Sequence, residues 1–560
     1  MLRLTGAVRS LVLLNGRVWS ADGVGTGQDA IVVADGRITA VTSSARAREL
    51  AGPGTRIIDL KGRLALPAFG DAHVHPVGGG LESLRCNLVG KRTRPEYLGV
   101  IAGYARALEP GGWVLGGGWC LEAFPGGVPS AADLEAVAGG RPVFLPNRDH
   151  HSAWVSRAAL ARAGVTRDTP DPADGRIERD ERGEPSGALH DGAMRLVAQV
   201  VPEPSAAELA AGLRAGQRHL HALGVTHWQD AIVGAAPDIG IPDAYATYRA
   251  AAAEGWLTAH VNGALWWDRT RGLGQIDGLL GRREHAESGR FRATSVKIMM
   301  DGVCETLTAA MTEPYSGQPA VRDPRDHRGR LFVSPEEVAE AVRLLSQEGF
   351  QVHFHALGDR AVHVALDALA GAGPSTDLRH HVAHLQFIRP ADLDRFRDLG
   401  AVANFQPLWA CHDPQMDDLT LPVVGPERAG WQYRIGTLAL LGTRLAFGSD
   451  WPVSSADPLQ EIHVAVNRRL SPRLGRPGTA ETDRPFLPDE AVTVAQALTA
   501  FTAGVAYVNH READLGSLRP GHLADIAVLD RYILAIPAAE IGSAQVDLTI
   551  AGGQVVHGDE

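Results

Sequence analysis

Two histidines one residue apart, His73 and His75, close the apolar run Leu66-Pro67-Ala68-Phe69-Gly70-Asp71-Ala72-His73-Val74-His75-Pro76. An extended strand sends alternate side chains to one face, so both imidazoles project together while Val74 turns away. Such a pair can hold a divalent metal, although alone it reads equally well as surface or hydrogen-bonded core histidines. Four more polar residues sit in similar apolar runs: Lys297 in Ser295-Val-Lys-Ile-Met-Met-Asp-Gly, His355 in Gln351-Val-His-Phe-His-Ala-Leu-Gly-Asp, His384 in His381-Val-Ala-His-Leu-Gln, and Asp450 closing Leu445-Ala-Phe-Gly-Ser-Asp. A bare ammonium is costly to bury, so Lys297 calls for a special role or an ion pair. His353 lies one layer deeper than His355 and reads as a supporting residue, and His380 and His381 as structural ones. Asp450 suits a turn or helix cap as well as a metal.

The elements that must carry these residues alternate between apolar, β-rich runs and helical ones. Eight runs read as strands, at residues 65–75, 225–231, 258–266, 294–300, 351–356, 381–387, 401–407 and 444–450. That pattern predicts an α/β fold, a closed (β/α)8 barrel of the TIM type with its chemistry at the carboxyl ends of the strands. The intervals carry helix signals, as where Ser334 caps, Pro335 opens and Glu337 completes a capping box. The interval 77–224 is too long for one crossover and is read as an insertion over the barrel mouth, with a hairpin around Arg176 to Glu184. Short strands punctuated by Asn15-Gly16 and Asp35-Gly36 fill the start of the chain, and similar strands return near its end. The two predict a small β-sandwich built from residues 1–64 and 501–560, around a catalytic barrel at 65–500.

The chain has 560 residues, 45% of them hydrophobic and 21% charged, and a net charge of −11. This is the make-up of a globular enzyme, and the absence of a basic run argues against nucleic acid as a partner. Four cysteines without paired spacing suit a reducing, cytoplasmic setting. No signal peptide or membrane helix is expected. A homodimer is the default assembly.

Taken together, the motifs Leu14-Asn-Gly-Arg-Val, Leu66-Pro-Ala-Phe-Gly-Asp-Ala-His-Val-His, His151-Ser-Ala-Trp-Val-Ser, Val296-Lys-Ile, His355-Ala-Leu-Gly-Asp-Arg-Ala-Val, Ala383-His-Leu-Gln, Phe447-Gly-Ser-Asp-Trp-Pro-Val and Gly516-Ser-Leu-Arg-Pro-Gly-His-Leu-Ala-Asp resemble the amidohydrolase superfamily. Within it they are similar to amidohydrolase family 3, the branch that includes N-substituted formamide deformylase. The resemblance implies that His73 and His75, with Asp450, hold a buried metal ion, and that His355 and His384 hold a second. It implies that Lys297 is carbamylated and bridges the two. The ligand types suit zinc, two ions per chain or one. The implied activity is hydrolysis of a non-peptide C–N bond in a small amide or formamide, with Asp450 moving the proton and His151, Trp119 and Trp451 contacting substrate. A cyclic amide, a deaminated heterocycle or an ester would use the same site, and a silent ligand-binding barrel is the non-enzymatic alternative. His150 departs from the pattern, standing where relatives usually show glycine.

Overall fold

The computed structural model describes residues 10–237, 239–286, 288–316, 328–373 and 377–558. Eight parallel strands form its centre: Phe69–Val74, Val225–Val233, His260–Trp266, Phe291–Met299, Gln351–Ala356, His381–His384, Val402–Phe405 and Leu445–Phe447. Each pairs with the next in chain order. The seam between the last strand and the first is drawn together just beyond their ends, where Asp450 N–H donates to His73 O at 2.7 Å and His75 N–H to the Trp451 carbonyl at 2.9 Å. The barrel is therefore nearly closed, as the alternation of runs predicts.

Several strands are shorter than the apolar runs suggest, for an identifiable reason. His384 and Asp450 have φ of 78° and 56°, so the sixth strand ends, and the turn after the eighth bends, at a left-handed residue. Such backbone costs on the order of 1–3 kcal/mol per residue and concentrates where function demands it. The run at 65–75 also divides. Leu64–Pro67 joins a different sheet, and the barrel strand starts only at Phe69.

That different sheet has five strands in the order Arg17–Val18, Leu64–Pro67, Ile526–Leu529, Val546–Ala551 and Gln554–His557, so both ends of the chain contribute. It faces a four-stranded sheet built from residues 10 to 59, and Leu13, Ile31, Val33, Ile526, Leu548 and Ile550 fill the space between them. The insertion after the first barrel strand carries a six-stranded sheet ending in the antiparallel pair Gly175–Arg179 and Pro185–Asp191. The hairpin expected around Arg176 is this pair.

Two helices tie the insertion to the barrel. Pro76–Leu84 starts immediately after His75, and Ala206–Ala222 leads into the second strand. They meet backbone to backbone: a Cβ at Gly80 would lie 1.9 Å from the Gly212 carbonyl oxygen, and one at Gly216 would lie 2.2 Å from Pro76 O. Only glycine permits that approach, and it fixes the helix that His75 caps. At Pro335–Gln347 the expected cap forms by half. Ser334 Oγ accepts from Glu337 N–H at 3.1 Å, but the Glu337 carboxylate does not return a bond to Ser334. Among the described residues no helix is long and apolar enough to cross a membrane.

Candidate active site

Six side chains converge at the carboxyl end of the barrel: His73 and His75 at the end of the first strand, Lys297 in the fourth, His355 in the fifth, His384 in the sixth, and Asp450 just past the eighth. Asp450 stands at the middle of the group. Its Oδ1 lies 2.9 Å from His75 Nε2 and 3.4 Å from His73 Nε2, and its Oδ2 lies 3.9 Å from His384 Nδ1. Ligand atoms of His73, His384 and Asp450 all fall within 4.8 Å of one another. His355 stacks edge-on to His384, with ring centroids 4.5 Å apart. Lys297, only 2% exposed, ends with Nζ 3.5 Å from His73 Nε2 and 3.4 Å from His353 Nε2.

The electrostatics of this group follow from burial. Desolvation, helped by the neighbouring cationic groups, drives His73 and His355 well below the ordinary histidine range and His384 down to about 3. These imidazoles are neutral, the state that ligates metal. Burial pushes Lys297 down to about 7, which leaves much of it an uncharged amine at neutral pH. For Asp450, burial acts upward, but the hydrogen bond and charge of His75, with His384 and Lys297, outweigh it and hold the carboxyl below its usual range.

Supporting residues fix the ring orientations. His384 Nδ1–H donates to Gln406 Oε1 at 2.9 Å, which leaves the lone pair on Nε2. His353 Nε2 meets His73 Nδ1 at 2.9 Å, so a proton on that nitrogen leaves His73 Nε2 free to ligate. The register places His353 beside Lys297 and His355 beside Met299, one layer higher. Asp71 binds strands one and eight together, accepting from His73 N–H at 3.1 Å, Ser449 N–H at 3.0 Å and Ser449 Oγ–H at 2.6 Å. Asp71 has no role in the sequence reading, yet Asp71, His73 and His75 share a face by strand period, and that signal was there to find. Asp301 stands behind His355 at 3.8 Å and accepts three backbone N–H groups, from Ala310, Leu357 and Gly358.

The insertion delivers its own residues. His151 lines the cavity, and its Nδ1 is engaged by Asp191 Oδ1 at 2.6 Å, so Nε2 is the nitrogen left for a ligand. The sheet makes this pair by setting Ser152 opposite His190. Trp451 stands on the wall of a wider outer groove, stacked on His219 at 4.7 Å. Trp119 is not brought to the site. Its indole is fully buried in the insertion core against Phe124 and Trp154, with Nε1–H donating to Leu145 O.

His150 explains its own departure from glycine. Its φ is 61°, a left-handed backbone that histidine adopts more readily than most residues. The side chain fastens the insertion to the barrel: Nε2 pairs with Glu82 Oε1 at 2.8 Å, and Nδ1–H donates to Ile239 O at 3.1 Å. Burial acts to lower its pKa, but Glu82, the Ile239 carbonyl and Asp149 raise it to about 9. A raised folded-state value contributes stability below the unfolded value of about 6.5, and that contribution fades as pH climbs through about 9. Between pH 6.5 and 9, thermal melts are therefore expected to fall more steeply for this protein than for a Glu82→Gln variant, by about 1–3 kcal/mol. Parallel slopes would remove the ion pair from the account.

The sequence profile of the Amidohydrolase family matches residues 56–557. The chain belongs to the amidohydrolase family. Protein LONG AFTER FAR-RED 3 of Arabidopsis thaliana is 30% identical over 99% of this chain and 92% of its own length. The YtcJ protein of Bacillus subtilis (strain 168) is 28% identical, covering 94% and 96% of the two chains, and N-substituted formamide deformylase of Arthrobacter pascens is 26% identical, covering 98% of each. A metal-dependent hydrolase of Pyrococcus furiosus superposes with a TM-score of 0.70 at 28% identity, over 94% of this amidohydrolase chain and all of its own.

Proposed function

We propose that this amidohydrolase cleaves a non-peptide C–N bond in a small amide or N-substituted formamide, using a divalent metal centre held by His73, His75, Lys297, His355, His384 and Asp450. The observation that carries the reading is the convergence of these six side chains at one end of the barrel. The donor set fits such a group. The imidazoles His73, His355 and His384 are held neutral, and His355 Nε2 is buried without a hydrogen-bond partner. Imidazole, carboxylate and a carbamylated lysine suit two zinc ions. When bound, the ions supply hydroxide at neutral pH and polarise the scissile carbonyl.

The protein's own residues do the remaining work. Asp450, ionised and within reach of His73, His75 and His384, takes the proton released as water adds to the carbonyl. It returns that proton to the departing nitrogen, so the products are a carboxylate and an amine. His151, fixed by Asp191, offers Nε2 to the substrate, and His384 is held in place by Gln406. The insertion adds Asp149, His150 and His151 to the cavity wall.

Elemental analysis of purified protein is expected to find about two zinc ions per chain. The metal-loaded protein is expected to release amine from N-substituted formamides faster than it hydrolyses matched esters or cyclic amides. Protein that binds no divalent metal would overturn the reading. Preference for the ester or the ring would reassign the bond.

A further inference from the structure

The cavity beside the ligand cluster has two walls of opposite character. One is continuous and apolar: Ile232, Ile239, Ile241, Trp266 and Met299 pack together around the ends of the second, third and fourth strands. On the other side the polar groups are already engaged. His150 is paired with Glu82, His151 with Asp191, and Asp149 Oδ1 accepts the His151 N–H at 2.9 Å. Among the described residues the other cationic group lining the cavity is Lys297, which is directed at His73 and His353. Outside the ligand cluster, the described cations lining the cavity are already balanced by carboxylates, so a substrate carboxylate would find one hydrogen-bond donor, His151 Nε2, and no unbalanced charge. A charge set against the Ile232 to Met299 wall would be desolvated without a partner, which costs far more than any packing returns. An alkyl or aryl group there gains by leaving water.

The outer groove has the opposite composition. It shares Asp149, Val303, Leu357, Trp409 and Val453 with the inner cavity and is lined farther out by Arg148, Glu122, Asp413, Lys91, Arg92 and Arg476. We infer that the substrate has two unlike ends: an uncharged alkyl or aryl substituent on the acyl carbon, seated on the Ile239–Trp266–Met299 wall next to the bond being cleaved, and a polar remainder beyond the nitrogen that points out along the groove. This specificity rests on the metal-centred hydrolase reading above.

Hydroxamates test it without requiring turnover, because the hydroxamate group binds the metal and its substituent reports on the wall. Calorimetry on zinc-loaded protein is expected to rank benzohydroxamate at least tenfold tighter than acetohydroxamate, and succinohydroxamate weakest. Ile239→Glu is expected to weaken benzohydroxamate at least tenfold, with acetohydroxamate within about twofold and the zinc content unchanged. Because a misfolded variant would also lose benzohydroxamate, Met299→Ala serves as a second probe. It is expected to weaken benzohydroxamate while retaining zinc and acetohydroxamate. Equal affinity for the three compounds, or preference for the succinyl one, would overturn the inference while leaving the metal site in place. Zinc-loaded protein that binds no hydroxamate would overturn the hydrolase reading and this inference with it.

Discussion

Asp450→Asn is expected to lower kcat by about 1,000-fold, with KM changed far less, because it removes the carboxylate that carries the proton in the proposed reaction. Asparagine has the same size and can still accept through its carbonyl oxygen, so the backbone that holds the position, Asp450 N–H to the His73 carbonyl at 2.7 Å, stays intact. What disappears is a group that is ionised before the reaction and can hold a proton during it. The hydrogen bond from His75 at 2.9 Å, and the charges around it, keep Asp450 ionised against its own burial. Steady-state kinetics on an N-substituted formamide, with metal content measured on the same sample, separates this role from ligation. A large fall in kcat with the metal retained identifies the proton carrier. Loss of metal in proportion to activity would make Asp450 chiefly a ligand, and activity within tenfold would move the proton elsewhere. Asp71→Asn provides the control for position. It weakens the tie between strands one and eight without touching the reaction, so a loss of only about 10- to 100-fold is expected.

Much of this site is legible from the amino-acid order because barrel chemistry concentrates at strand ends. A histidine or aspartate that closes one apolar run has bland readings of its own, but six such polar residues distributed over successive strands point to one centre. What order alone hides are contacts set by pairing between distant strands. His353 falls beside Lys297 only through the register of strands four and five, and its contact with His73 depends on curvature around the whole barrel. Asp191 is 40 residues from His151 and reaches it because two strands of the insertion run antiparallel. Trp119 shows the converse. A tryptophan in the glycine-rich run Gly116-Gly117-Gly118-Trp119 reads the same whether its ring faces a ligand or a core, and here the packing of Phe124 and Trp154 around it decides for the core. The two short strand ends, at His384 and Asp450, are a further case. The apolar run continues past the turn, and only the left-handed backbone marks the break.

Lys297→Ala is expected to lose at least one metal equivalent and to reduce kcat/KM by about 1,000-fold or more, since in the proposed centre a carbamylated Lys297 would be both a ligand and a negative charge opposite the metal. The side chain has no ordinary partner. Its ammonium would face His73 Nε2 at 3.5 Å and His353 Nε2 at 3.4 Å, two imidazoles that burial and surrounding cations keep uncharged. Burial has brought the amine to about 7, so an uncharged nitrogen with a lone pair is abundant at neutral pH. That nitrogen can add to carbon dioxide: a C–N bond forms as one C=O π bond opens onto oxygen, one proton leaves, and an uncharged amine becomes an anion with two oxygens. The histidines around it would then face a carboxylate where there had been an ammonium, which accounts for a lysine whose nitrogen touches imidazoles and feels Asp450 only at longer range. Two substitutions divide the possibilities. Lys297→Glu restores a carboxylate at the same position and is expected to recover part of the metal content that alanine loses, whereas Lys297→Arg, a permanent cation, is expected to recover none. Carbon-13 bicarbonate supplied during metal loading should give a carbamate signal in the native protein that is absent in all three variants. An alanine variant with full metal content and near-native kinetics would show that the bridge, if there is one, is built from something other than Lys297.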